Sequence, residues 1–199
     1  MGNNRSLMSE EEVKEIMDET DFNRNQIIRL HSRFQSLDKK GQGYLSREDF
    51  QNVPELAVNP LGDRIVDAFF SLDSSSFGYK LAKNEEQKLN FRQFVRILAH
   101  FQPMSKVKKN SLNSRRDKLL FAFKMYDLNK NNYITREEFK TILNSMVGAN
   151  ITPDQLEKIA DRTMKEADAD NDGRISFEDF CRAMEKTDIE EKMSIRFMN

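Results

Sequence analysis

Four times along the chain, a lone aliphatic residue is followed five positions later by a phenylalanine: Leu45 and Phe50, Leu89 and Phe94, Ile134 and Phe139, Ile175 and Phe180. Three of these units share a lead-in. Phe34 and Leu37 stand four and one positions before Asp38, as do Phe123 and Tyr126 before Asp127, and Met164 and Ala167 before Asp168. Apolar residues three apart lie on one face of a helix, so each unit reads as incoming helix, polar loop and outgoing helix. The outgoing helices open on capping pairs: Thr135 with Glu138, Ser46 with Asp49, and Ser176 with Asp179. Thr152, Pro153, Asp154 and Gln155 mark another start, with Pro at the first helical position. The pattern predicts an all-α fold of four EF-hand helix–loop–helix units paired into two lobes, with short antiparallel β contacts between paired loops. The expected division is an N-terminal segment 1–22, a first pair 23–101, a linker 102–113 carrying Pro103, and a second pair with its tail at 114–199, the helix restarting near Asn113 or Ser114.

The loops differ in what they can hold. A calcium loop places oxygens at positions 1, 3, 5, 7, 9 and 12, with a sharp turn at 6. The third loop offers Asp127, Asn129 and Asn131, the carbonyl of Tyr133, and Glu138 at position 12. Asn132 stands at its turn, and Asn is the residue after Gly that best tolerates a left-handed backbone. The fourth loop offers Asp168, Asp170 and Asp172, a turn at Gly173, the carbonyl of Arg174, and Asp179 at position 12. The shorter arm of Asp179 favours six-fold coordination and admits Mg²⁺ beside Ca²⁺. Two ions are expected, one in each of these loops. The first loop, Asp38 to Asp49, puts Lys40 and Gln42 at positions 3 and 5, and a cation at position 3 repels the ion. In the second unit, 21 residues run from Asp73 to Gln93 where 12 are needed, so no ion is expected there.

Composition narrows the class. The 199 residues include 15 Phe and 10 Met but no Trp, with 38% hydrophobic and 33% charged, which suits a helical protein with an adaptable core. A net charge of −1 gives no reason to expect nucleic acid. Cys181 is the single cysteine, which fits a reducing compartment. No apolar run reaches the ~20 residues of a membrane span, and Glu10, Glu11, Glu12 and Glu15 make the N-terminus too polar for a secretory signal. Met1-Gly2-Asn3-Asn4-Arg5-Ser6 fits the pattern for myristoylation at Gly2. One such chain binds membranes only marginally. The expected location is therefore the cytoplasm and the cytoplasmic face of the plasma membrane, held there by a membrane partner, with the nucleus as a further site. His31, His100 and Cys181 show no metal or nucleophile spacing, and no Gly-rich phosphate loop occurs, so no enzyme activity is expected.

The segments Leu45-Ser46-Arg47-Glu48-Asp49-Phe50, Asn59-Pro60-Leu61-Gly62-Asp63-Arg64, Leu98-Ala99-His100-Phe101, Leu112-Asn113-Ser114-Arg115, Met146-Val147-Gly148, Ile159-Ala160-Asp161-Arg162-Thr163 and Lys192-Met193-Ser194-Ile195-Arg196-Phe197 run through nearly the whole chain. In them the sequence resembles the calcineurin B homologous proteins. The resemblance implies a regulatory protein that binds an amphipathic juxtamembrane helix in the cytoplasmic tail of a plasma-membrane Na⁺/H⁺ exchanger and so supports intracellular pH regulation. The alternatives are a regulatory subunit or inhibitor of a calcineurin-type phosphatase, partnered with its catalytic subunit, and a diffusible calcium buffer. A helix-in-groove contact would draw on Phe69, Phe70, Phe94, Leu98, Phe101, Met125, Met146, Met184 and Met193, although residues of this kind on helix faces usually form core.

Overall fold

The computed structural model describes residues 8–76, 88–102 and 113–188. Gly2, Met193 and residues 77–87 of the insertion lie outside them. The chain opens with α1 (Glu10–Thr20), which the pattern of repeats does not include. Ser9 and Glu12 form a reciprocal capping box, and Val13, Ile16 and Thr20 turn inward. The acidic run supplies the helix's outer face, where Glu10 pairs with Arg24, Glu15 with Arg92 at 2.9 Å, and Glu19 with Arg92 and Arg96.

Then follow α2 (Arg24–Leu37), β1 (Tyr44–Ser46), α3 (Arg47–Gln51), α4 (Pro54–Ala57), α5 (Gly62–Ser76), β2 (Lys88–Asn90) and α6 (Phe91–Ala99). The second half comprises α7 (Arg115–Tyr126), β3 (Tyr133–Thr135), α8 (Arg136–Val147), a 3-10 turn at Gly148–Asn150, α9 (Pro153–Ala167), β4 (Arg174–Ser176) and α10 (Phe177–Ala183). Strands β1 and β2 pair antiparallel with Leu45 opposite Leu89, and β3 pairs with β4 with Ile134 opposite Ile175. The lone aliphatic residues are therefore the rungs that join loops one to two and three to four. Ser114 caps α7, accepting from the Asp117 amide, as the expected restart requires.

In one respect the second unit departs from expectation. Helix α5 continues through Asp73 to Ser76, so Asp73 lies within a helix instead of opening a loop. The outgoing half of that unit keeps the shared frame, with the Asn90 amide donating to Gln93 at 2.8 Å.

Two apolar cores form among the described residues, and α7 contributes to both. Phe121 belongs to the larger N-terminal core, meeting Phe101 edge-on at 4.9 Å and Phe69 at 5.7 Å. Phe123 belongs to the C-terminal core with Ile134, Met164 and Ile175. Two residues span about 200° of a helix, so a helix apolar on several sides sits between the two cores. The junction is also polar. Lys118, fully buried on α7, donates to the carbonyl of His100 at 2.6 Å, and Arg115 donates to the carbonyls of Met184, Glu185 and Thr187 beyond α10.

The groove candidates occupy different settings. Phe70, Phe94, Leu98 and Phe101 are interior residues of the N-terminal core, and Phe69 is stacked on Phe101 at 5.8 Å. Met125 packs on the same core, Met184 is half-buried, and Met146 is exposed. Aromatic side chains from several helices fill the interior here, and in this structure Phe70, Phe94, Leu98 and Phe101 serve as core and do not line an open surface.

Candidate metal centres

Three loops share one backbone design. In each, the Asp at position 1 ends a helix and turns its carboxylate back over the loop. Asp38 accepts from the amides of Gln42 and Gly43, at 2.9 and 2.7 Å. Asp127 accepts from Asn131 and Asn132, at 3.1 and 2.9 Å. Asp168 accepts from Asp172 and Gly173, at 3.2 and 2.8 Å. Positions 4 and 6 take positive φ in all three: Gly41 and Gly43, Lys130 and Asn132, Asn171 and Gly173. Asn132, with φ of 68°, occupies the left-handed turn that the sequence assigns to it.

Position 12 has a second duty. Its side chain reaches back to the amide of position 9 in every unit: Asp49 to Ser46, Gln93 to Asn90, Glu138 to Thr135, and Asp179 to Ser176, at 2.7 to 3.1 Å. Glu138 also accepts from the amides of Leu128 and Asn129, both at 3.1 Å. Burial pushes the Glu138 carboxyl up, but the hydrogen bonds from Thr135, Asn129 and Leu128 together hold it below the usual carboxylate range. Asp179 is also held low, first by the Ser176 hydroxyl and against a smaller opposing effect of burial. Both side chains are therefore anionic at neutral pH.

The donor sets fit a hard divalent cation. In the third loop, the side-chain oxygens of Asn129 and Asn131 bond the loop's own amides at 3.0 and 2.9 Å, which holds them inside the turn. The Tyr133 carbonyl follows at position 7, and Glu138 closes the loop. In the fourth loop, one oxygen from each of Asp168, Asp170 and Asp172 lies within 4.8 Å of the others. Asp179 is not part of that cluster and instead pairs with Arg182 at 3.5 Å. An all-oxygen set of this kind suits Ca²⁺ or Mg²⁺ over softer metals.

The sequence reading used Arg174 only for its carbonyl. Its guanidinium pairs with Asp172 at 3.0 Å and lies over the Tyr133 ring, 4.2 Å from the centroid. It therefore engages a candidate ligand oxygen of the fourth loop while tying that loop to the third. The two histidines take no part in either loop: His31 meets Phe91 edge-on, and His100 is buried with Nδ1 2.9 Å from the Arg96 carbonyl.

Residues 116–185 match the EF-hand domain pair family. Over its length the chain is similar to the calcineurin B protein of Naegleria gruberi, 39% identical over 98% of this chain and 99% of the relative. It is 35% identical to the type 2 calcineurin B protein of Dictyostelium discoideum, over 99% and 98% of the two chains. It is 33% identical to the calcineurin B protein of Candida glabrata, over 93% and 94%. With four helix–loop–helix units, paired loops and relatives matched almost end to end, the chain belongs to the calcineurin B-like family of EF-hand proteins.

Proposed function

We propose that this protein is the calcium-binding regulatory subunit of a calcineurin-type phosphatase and acts by holding a helix of the catalytic subunit. The near end-to-end likeness to calcineurin B proteins carries the reading. The exchanger-tail expectation gives way to this alternative, because the matched relatives bear the calcineurin name. The calcineurin B relatives and the EF-hand pair point to a regulatory role, and among the described residues acidic groups serve as candidate loop ligands, caps or ion-pair partners.

In this reading the third loop holds Ca²⁺ through Asp127, Asn129, Asn131, Tyr133 and Glu138. The fourth holds Ca²⁺ or Mg²⁺ through Asp168, Asp170, Asp172, Arg174 and Asp179. The bound ion supplies divalent charge against which these oxygens converge. The residues of the chain do the rest: Asp127 and Asp168 anchor each loop to its incoming helix, and Glu138 and Asp179 tie it to the outgoing one. Calcium then acts by its differential affinity for the partner-competent state. The first loop remains ion-free without losing its shape, since the Asp38 and Asp49 hydrogen bonds persist beside Lys40. Myristoylation at Gly2 and residence at the cytoplasmic face of a membrane complete the proposal.

The test is titration of the full chain with two fluorescent helical peptides, one from a calcineurin catalytic subunit and one from an exchanger tail. Each is measured with calcium, with magnesium alone, and with chelator. Calcium-dependent binding of the phosphatase helix is expected. Preference for the exchanger helix would overturn the reading, and binding of neither would return the buffer alternative.

A further inference from the structure

Arg64 stands on α5, in the half of the molecule whose loops are not expected to bind metal. Its guanidinium crosses to the end of α7 and donates to three carbonyls there: Met125 at 3.1 Å, Lys124 at 3.3 Å and Asp127 at 3.3 Å. Asp127 is the first residue of the third loop, and its carboxylate arranges the Asn131 and Asn132 amides. On its other side, Arg64 pairs with Asp67 at 2.8 Å. Asp67 also binds Arg47, which stands at position 10 of the first loop and opens α3. A continuous polar chain thus runs from the outgoing helix of the first loop, through Asp67 and Arg64, to the first ligand residue of the third. The fourth loop has no counterpart among the described hydrogen bonds, since the Asp168 carbonyl receives no such side chain.

From this geometry we infer that Arg64 is a positioning residue for the third metal loop, through which the N-terminal half sets how tightly that loop keeps its ion. The last carbonyls of a helix lack partners within it and carry the negative end of its dipole. A planar guanidinium spanning three of them fixes the direction in which the chain leaves the helix, and with it the placing of the Asp127 carboxylate. Lysine keeps the charge but cannot span the three acceptors. The consequence is regulatory: a partner that shifts α5, or that draws Asp67 away from Arg64, alters calcium release from the third loop and not from the fourth. The inference rests on the third loop binding calcium.

The experiment compares R64Q and R64K with the parent, each in a D168N/D170N background that silences the fourth loop. Calcium release into a fluorescent chelator is followed by stopped flow. Loss of charge-assisted hydrogen bonds at the loop's first residue is expected to speed release about tenfold in both variants. D67N is expected to speed it less, and to add little to R64Q, as members of one chain do. A simple charge effect gives the opposite sign: R64Q would release calcium more slowly, because a nearby cation has gone, and R64K would match the parent. That result overturns the inference, as does equal acceleration of fourth-loop release when the background is reversed by E138Q.

Amide hydrogen exchange in chelator separates this from failure of the binding reading. In R64Q the Asn131 and Asn132 amides should exchange about tenfold faster, while those of Asp172 and Gly173 are unchanged. Unaltered exchange at Asn131 and Asn132 refutes the role of Arg64 whether or not the loop binds calcium.

Discussion

Replacement of Phe121 by alanine tests the claim that α7 belongs to both cores. The ring is almost wholly buried, packed edge-on against Phe101 and Phe69 across the junction of the two halves. Truncating a buried Phe in such a setting costs about 3–5 kcal/mol, including the cavity left behind. For a protein of this size, each kcal/mol shifts the melting temperature by about 2–4 °C, so F121A should melt roughly 10 °C lower. The form of the transition is more diagnostic. If the third and fourth loops hold calcium as proposed, the ion stabilises them by mass action, and the shared helix passes that stabilisation to the N-terminal core. Calorimetry with calcium and with chelator should show one calcium-sensitive transition in the parent. In F121A it should separate into two, the lower one no longer responding to calcium. F123A, in the other core, should lower the calcium-sensitive transition instead. If F121A costs less than about 1 kcal/mol, or keeps a single transition with the parent's calcium shift, the two-core account of α7 is wrong.

Three further outcomes are expected. D179E lengthens the arm at position 12 while keeping the cap on Ser176, as Glu138 does on Thr135, and should raise fourth-loop calcium affinity roughly tenfold; calorimetric titration showing no gain would sink this. G62A places a methyl 2.0 Å from the Leu56 carbonyl oxygen, so the corner between α4 and α5 must open, at a cost of about 2 kcal/mol or more in urea unfolding. His100 is held below its ordinary value of 6.5, chiefly by burial, so the folded state resists a proton that the unfolded chain accepts. Its contribution is complete above about pH 6.5 and is lost as pH falls toward the folded value, by at most about 1.4 kcal/mol per pH unit. H100Q should flatten the stability profile between pH 7 and 5, leaving the share of His31, which burial lowers likewise; an unchanged slope would remove His100 from the account.

The fold was legible where one residue type has one physical use. Leu45, Leu89, Ile134 and Ile175 had to face inward from short strands, and they pair as rungs. Asn132 had to accept a left-handed backbone, and does. The misses arise where one side chain serves two neighbours. Val13 and Ile16 with the Ser9–Glu12 box mark α1 locally, but the glutamates around them entered the sequence analysis only as evidence against a secretory signal, and their pairing with Arg24 and Arg92 is set by tertiary approach. Leu119, Phe121, Ala122 and Phe123 follow no single apolar face, which in retrospect is the signature of a helix packed on several sides. Asp73 matched the offset of a loop opener, yet nothing in that offset stops a helix, and α5 runs three residues beyond it. The carbonyls that Arg64, Lys118 and Arg115 seek are set by tertiary approach and leave no trace in local spacing.

The shared hydrogen bond from position 12 to position 9 means that these loops keep their shape by means independent of the ion. The first loop, with Lys40 and Gln42 at positions 3 and 5, is accordingly folded on the same plan as the others. Gly41 and Gly43 already hold the backbone that the third and fourth loops share, so K40D together with Q42D would place carboxylates at positions 3 and 5 of a loop folded on that plan.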